Sequence, residues 1–383
     1  MENVSLVTEL TLEGLNFPWE QRVVLFCVTL LWYLMILAGN IIIIVAIILD
    51  KSLHEPMYIF LCNLCINSLY GTVGFYPKFL FDLLNSHVIS YAGCMLQGYV
   101  IHSSVCCDFS LLALMALDRY VALCRPLIYH SVMTKRRVYV LVILSWIVPL
   151  FCMFMNTATL LQTQLCGSHI NRLYCVNFMI VRLACSPPLA SAYVSYFNIV
   201  FYFGHFVLII WSYIYLIKTC LIGKKNWAKF MQTCVPHLIS LSVSAFAVLL
   251  DLLYMRLGSP DLSQNLSNFM AMEILLIPPM LNPVVYGMKL TKIRIWILKI
   301  VHVHRIDATC TSKQPVSNSG PDTTTTRKPR SQNSLETPFG YVTKAVAPTY
   351  LICEIRCGKL LFCWRDVRSS WIGCFVQLLR DAL

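Results

Sequence analysis

The sequence predicts an all-α membrane protein: a seven-transmembrane helix bundle with its N-terminus outside and a short amphipathic helix after the seventh span. Three observations carry this. Hydrophobic residues fill 58% of the 383 positions and charged residues only 13%, with a mean hydropathy of +0.67, whereas a soluble domain holds about 45–50% and about 25%. Seven apolar runs reach the roughly 20 residues a helix needs to cross the hydrocarbon core. Lys and Arg collect in alternate connections between those runs. Soluble domains are excluded for want of charge to cover their surfaces, and disorder as the main state is excluded by the apolar content.

The runs lie near Val23–Leu49, Met57–Leu80, Ala92–Leu117, Val138–Leu160, Ala192–Ile217, Phe230–Tyr254 and Asn268–Met288. The segment before Val23 is polar and acidic and has no apolar core, so the first span is read as its own insertion signal. Arg119, Arg125, Lys135, Arg136 and Arg137 lie between the third and fourth spans. Lys218, Lys224, Lys225 and Lys229 follow the fifth, and Lys289, Lys292, Arg294 and Lys299 the seventh. The other side holds only Arg22, Lys78, Arg172, Arg182 and Arg256. The basic side is cytoplasmic, so the N-terminus is outside and Asn3, in Asn3-Val4-Ser5, is a candidate glycosylation site. The net charge of +12 therefore suits anionic lipid and an acidic partner rather than nucleic acid.

Polar residues inside spans are the informative ones, because lipid penalises them unless they face the bundle interior. Asn40 follows Gly39 in the first span. Asn282 and Pro283 sit late in the seventh, before Tyr286. Pro283 frees a backbone carbonyl, and Asn282 is the nearest group able to satisfy it. Asp118, Arg119 and Tyr120 end the third span. Four cysteines fall on the oxidising face: Cys94 at the start of the third span, and Cys166, Cys175 and Cys185 in the following outer loop. They are expected to pair, and three connectivities are open. The 18 cysteines are too scattered for a zinc module, and no metal or cofactor is expected.

Taken together, these residues resemble rhodopsin-like G protein-coupled receptors, and more closely the olfactory receptors. Leu53-His54-Glu55-Pro56-Met57-Tyr58 opens the second span. Met115-Ala116-Leu117-Asp118-Arg119-Tyr120-Val121-Ala122-Leu123-Cys124-Arg125-Pro126-Leu127-Ile128-Tyr129 is similar to the olfactory M-A-Y-D-R-Y-V-A-I-C-x-P-L-x-Y run. Ser212-Tyr213, Thr233-Cys234 with His237, and Pro278-Pro279-Met280-Leu281-Asn282-Pro283-Val284-Val285-Tyr286 complete five motifs in order. The wording Cys62-Asn63-Leu64-Cys65-Ile66-Asn67 resembles the fish-type branch, which favours water-soluble odorants.

The resemblance implies roles. Asp118 and Arg119, with Tyr120, form an activation switch; an Arg without its acid is unstable when buried, so the pair is bistable. Tyr213 and Tyr286 swing inward in the active state, and His237 lies near the same end. It implies disulfides Cys94–Cys175 and Cys166–Cys185, which pin the outer loop as a lid. It places a small-odorant pocket among the outer halves of spans three, five, six and seven. On the third span helical spacing selects Ile101, His102, Val105 and Cys106, and the pocket so placed adds Phe197, Asn198 and Phe201 from the fifth and Val248, Leu252 and Met272 from the sixth and seventh. Partners implied are an odorant, a stimulatory olfactory-type heterotrimeric G protein that raises cyclic AMP, and the lipid bilayer. Cilia of olfactory neurons are the implied location.

Three acids fall inside spans. Asp108, with Asn67 or Ser68, is read as a water or cation site, although related receptors carry an acid where Ser68 stands. Asp251 and Glu273 are structural acids or recognise a cationic amine. Two further positions depart from the family: Leu117 stands for Tyr, and Ser244-Ala245 for Phe-Tyr. The chain divides into an outer tail (1–22), the receptor domain (23–289), an amphipathic helix (290–303) and a tail (304–383) read as largely disordered or a gene-model artefact. It shows no G-x-S-x-G, P-loop or H-E-x-x-H motif, so it is not an enzyme. A transporter would need broken-helix pairs or charge rings, which are missing. A receptor for an endogenous amine would need an acid where Ile101 stands.

Overall fold

The apolar runs fold as helices that outrun their hydrocarbon segments. The computed structural model describes residues 8–257 apart from 14, 16, 162 and 223–233, and then 264–289 and 293–296. The spanning helices are α1 (Trp19–Leu49), α2 (Pro56–Leu84), α3 (Tyr91–Cys124), α4 (Lys135–Ala158), α5 (Leu189–Ile222), α6 (Val235–Leu257) and α7 (Gln264–Lys289). Six of them are long and apolar enough to cross a membrane, and α6 holds a shorter apolar stretch, Leu238–Leu253. Asn3, the side chain of His237, most of the 290–303 segment and the tail lie outside the described residues.

Local chemistry sets the helix ends. Hydropathy marks only the part of α3 in hydrocarbon; the helix itself runs on to Cys124, because Pro126 is the first residue that opposes it. Pro56 starts α2, where its missing N–H costs nothing. Ser90 caps α3 by accepting from the Gly93 amide at 3.2 Å, and Thr134 caps α4 by accepting from Arg137 at 3.4 Å. Val24, Val28, Leu31 and Ile48 of α1 are exposed, as a bilayer-facing surface requires.

The core divides along the bundle. An inner cluster joins Leu61, Met115, Tyr213, Leu216, Leu241 and Tyr286. An outer one joins Ile36, Phe75, Tyr76, Ile101, Tyr174, Met255 and Leu275. Glycine lets α2 and α3 approach: a Cβ on Gly71 would lie 2.9 Å from the Ser104 Cβ.

The outer tail is not plain coil. Glu9–Leu12 (β1) is the middle strand of a three-stranded sheet, antiparallel to Val88–Ser90 (β2) and parallel to His169–Ile170 (β3). The alternation Glu9-Leu10-Thr11-Leu12 turns both leucines inward, where they are fully buried on Cys94, Met95, Ile170 and Cys175. The all-α expectation holds for the receptor, and this small outer sheet is added to it because these two leucines have an apolar surface to cover.

Candidate functional site

The outer end is closed by the loop between α4 and α5. Cys94 is bonded to Cys175 and Cys166 to Cys185, with Cα separations of 5.3 Å and 4.9 Å. The first bond ties the loop to the start of α3 and draws Arg172, Leu173, Tyr174 and Val176 into the bundle, all buried. The Gln97 side chain accepts from the Cys175 amide at 3.0 Å and fixes the loop over α3. The Tyr174 ring lies 6.0 Å from Phe75 and 6.5 Å from His102. Burial pushes the Tyr174 phenol above its ordinary pKa and the nearby Asp251 adds to this, so it stays neutral.

Beneath this lid, Ile101 is buried, and Leu252 and Met272 pack against the same outer cluster. His102 is half-buried with Nδ1 2.7 Å from the Gly98 carbonyl. Val105 and Val248 line a void with Asp108, Phe109, Ser244, Ile274 and Pro278, which has room for about one water. Cys106 is half-buried on the same face of α3.

The fifth helix is rotated from the expected arrangement. Phe197 is 61% exposed on the bilayer side, which removes it from the pocket list. Lipid-facing and cavity-facing positions are both apolar, so composition does not separate them. Phe201 is half-buried, 5.9 Å from the Phe197 ring and 4.7 Å from His205. Asn198 is buried but donates to the Cys152 carbonyl of α4 at 3.4 Å, so it braces two helices.

The three acids separate. Asp251 is held by Arg172, whose Nη1 donates to Oδ1 at 2.6 Å with both side chains almost fully buried. Glu273 is half-buried on α7, between Met272, which packs on the outer cluster, and Ile274, which lines the void. Asp108 accepts from Asn67 Nδ2 at 2.7 Å, and the same amide donates to the Ser104 carbonyl at 2.8 Å. Ser68 joins a different network: it accepts from Asn282 Nδ2 at 3.1 Å, and Asn282 Oδ1 accepts from Ser240 at 2.9 Å.

Asn282 thus links α7 to α2 and α6, and it does not satisfy the carbonyl freed by Pro283. That carbonyl belongs to Pro279, one turn earlier, and it accepts from Asn40 Nδ2 of α1 at 3.0 Å. Asn40 also donates to Ile36 at 2.8 Å. The correction follows from helix geometry: the freed carbonyl lies one turn back from Pro283, on the side where α1 packs.

At the cytoplasmic end Asp118 is fully buried and receives the guanidinium of Arg119, with Nε at 3.0 Å and Nη2 also in contact. The other carboxylate oxygen accepts from the Tyr129 hydroxyl at 2.8 Å. Tyr129 lies beyond the end of α3, and burial, reinforced by Asp118, raises its pKa, so it remains a donor. Tyr213 and Tyr286 are buried in the inner cluster behind this lock, and the Tyr120 ring meets Tyr215 edge-on at 5.5 Å.

Residues 26–304 match the family model described as "Olfactory receptor". The chain belongs to the olfactory receptor family. It is 32% identical over 294 residues to mouse olfactory receptor 6E1, covering 76% of this chain and 93% of that one. It is 33% identical over 309 residues to human olfactory receptor 11A1, covering 79% and 96%. The fold is similar to squid rhodopsin, with a TM-score of 0.62 at 16% identity, over 75% of this chain and 86% of that one. This olfactory receptor is accordingly a multi-pass plasma-membrane receptor and not an enzyme. Two of its site residues were missed from the sequence in their present roles. In the sequence, Tyr129 stands out only as the last residue of the third-span motif, and Arg172 only as an outer-side charge. A Tyr eleven positions after Asp118, past a Pro-initiated turn, is the signal for the first; a lone Arg three residues before the lid cysteine is the signal for the second.

Proposed function

We propose that this receptor binds a small odorant between the outer halves of α3, α5, α6 and α7 and, on binding, activates a stimulatory heterotrimeric G protein that raises cyclic AMP. The observation that carries the reading is the three-residue lock of Asp118, Arg119 and Tyr129 at the cytoplasmic end. Its one acid is shared by two donors, so it has a discrete closed state, and opening frees Arg119 for a partner. The lid on the opposite end supplies the ligand side of the coupling. The pocket residues are Ile101, His102, Val105, Cys106, Phe201, Val248, Leu252 and Met272. Asp108 and Asn67 form a polar floor below them that suits a water or cation. The olfactory-type α subunit and the cilia of olfactory neurons are part of this proposal, with family membership in their support, and the fish-type branch rests on the wording of α2 alone.

The test is cyclic AMP in cells carrying an olfactory-type stimulatory G protein, across an odorant panel, with wild type beside Arg119→Ala. An odorant-dependent rise in wild type that the variant loses at equal surface level supports the reading. A response that survives Arg119→Ala refutes the coupling role.

A further inference from the structure

A buried ion pair joins the lid to α6, beside side chains assigned above to the pocket. Arg172 descends from the lid and Asp251 faces it from α6, at 2.6 Å and with side chains 0% and 6% exposed. Their chain neighbours, Leu173 and Leu252, belong to one apolar cluster with Ile101, Tyr174, Met255 and Met272. The other acids of the spans lie elsewhere. Asp108 sits six positions below His102, roughly 9 Å deeper at the helical rise, and it is engaged by Asn67. Glu273 is half-buried on α7, beside Met272.

A buried charge is stable only beside its partner. Arg172 therefore withdraws Asp251 from any cationic ligand, and Asp251 withdraws Arg172 from any anionic one. A ligand bearing a net charge would break the pair and leave one group uncompensated in an apolar roof. An uncharged ligand leaves the pair intact. Given the odorant-receptor reading above, we propose that the Arg172–Asp251 pair restricts this receptor to uncharged odorants, and that Asp251 is an ammonium-binding site held shut by Arg172.

The experiment uses the full-length receptor and a chain-matched series: a primary alcohol, an aldehyde, a primary amine and a carboxylate. Cyclic AMP is read in cells. Ligand-induced thermal stabilisation is read on receptor in detergent, which needs no G protein. Wild type should be stabilised by the neutral members, with the amine and carboxylate roughly tenfold weaker or worse. Arg172→Met should gain affinity for the amine by roughly tenfold, and the added change Asp251→Leu should abolish that gain. Amine or carboxylate binding in wild type as tight as the alcohol overturns the proposal. So does stabilisation by none of the series, or a surface-expressed Arg172→Met with no gain for the amine. If Arg172→Met fails to reach the surface, the swap Arg172→Asp with Asp251→Arg decides. It should restore the surface level that Arg172→Asp alone loses, and a swap no better than the single change refutes the pair as a unit. Neutral-selective stabilisation with no cyclic AMP supports the selectivity while refuting the coupling.

Discussion

Replacing Asn40 with alanine should reveal what holds the kinked part of α7. Pro283 has no N–H to offer the Pro279 carbonyl, and Asn40 reaches across from α1 to donate to it at 3.0 Å. Without that amide the carbonyl is buried and unsatisfied, which costs about 1–3 kcal/mol in proteins. Interhelical hydrogen bonds within membranes average nearer 0.6 kcal/mol, with a maximum of about 1.7 kcal/mol. A loss of about 1 kcal/mol is therefore expected for Asn40→Ala, read as thermal stability of purified receptor in detergent. The informative measurement is the double change. Pro283→Ala restores an N–H one turn after Pro279, so the carbonyl recovers a helical donor. In that background Asn40→Ala should cost measurably less, and the coupling should approach the single-variant loss. If Asn40→Ala costs the same in the wild-type and Pro283→Ala backgrounds, the carbonyl is not what Asn40 serves, and its bond to Ile36 becomes the explanation.

Three other outcomes are expected. Tyr129→Phe removes one of the donors to Asp118; a hydrogen bond to a charged group is worth about 1.5–3 kcal/mol, so ligand-free cyclic AMP should rise at unchanged surface level, and an unchanged basal signal would exclude Tyr129 from the lock. Gly71→Ala places a Cβ against Ser104 and should lower thermal stability by about 1–3 kcal/mol, with part of the loss recovered by Ser104→Gly; a loss that Ser104→Gly leaves untouched would mean another contact is responsible. His87, in the outer loop, is held below its ordinary pKa by burial, with Arg22 and Lys78 pushing the same way against Asp82 and Glu13. Its folded form thus binds fewer protons than the unfolded chain, so the stability it lends is present above about pH 6.5 and declines as the pH falls through the lowered value. His87→Gln should flatten that decline between pH 7.5 and 5.5, and a profile no flatter than wild type would exclude His87 as its source.

The bundle was legible because lipid imposes a single rule on every spanning segment, and that rule shows as run length. The interior polar residues were legible for the same reason, since Asn40, Asn67, Asp118 and Asn282 stand out against an apolar background. Their partners were not. A donor such as Asn282 can reach several acceptors, and which one it meets depends on how α1, α2 and α6 rotate against α7. Phe197 shows the complementary failure, because lipid and pocket both accept an aromatic ring. The Arg172–Asp251 pair joins residues 79 positions apart, and only the folded loop brings them together. The strand at Glu9–Leu12 is too short to announce itself, with one alternating pair of leucines and both its partner strands far away in the chain.

That strand also sets an order of assembly. Glu9–Leu12 leaves the ribosome before α1, yet it is the middle member of its sheet, and one neighbour, His169–Ile170, is made only after α4. The outermost layer of the receptor is thus begun first and completed late. Closure of the sheet requires that the first four helices have already crossed the membrane in the correct sense, with both partner strands delivered to the same side. A chain that delivered either partner strand to the wrong side would keep Leu10 and Leu12 uncovered. Burial of Leu10 and Leu12 is therefore complete only in a chain whose first four spans are correctly inserted.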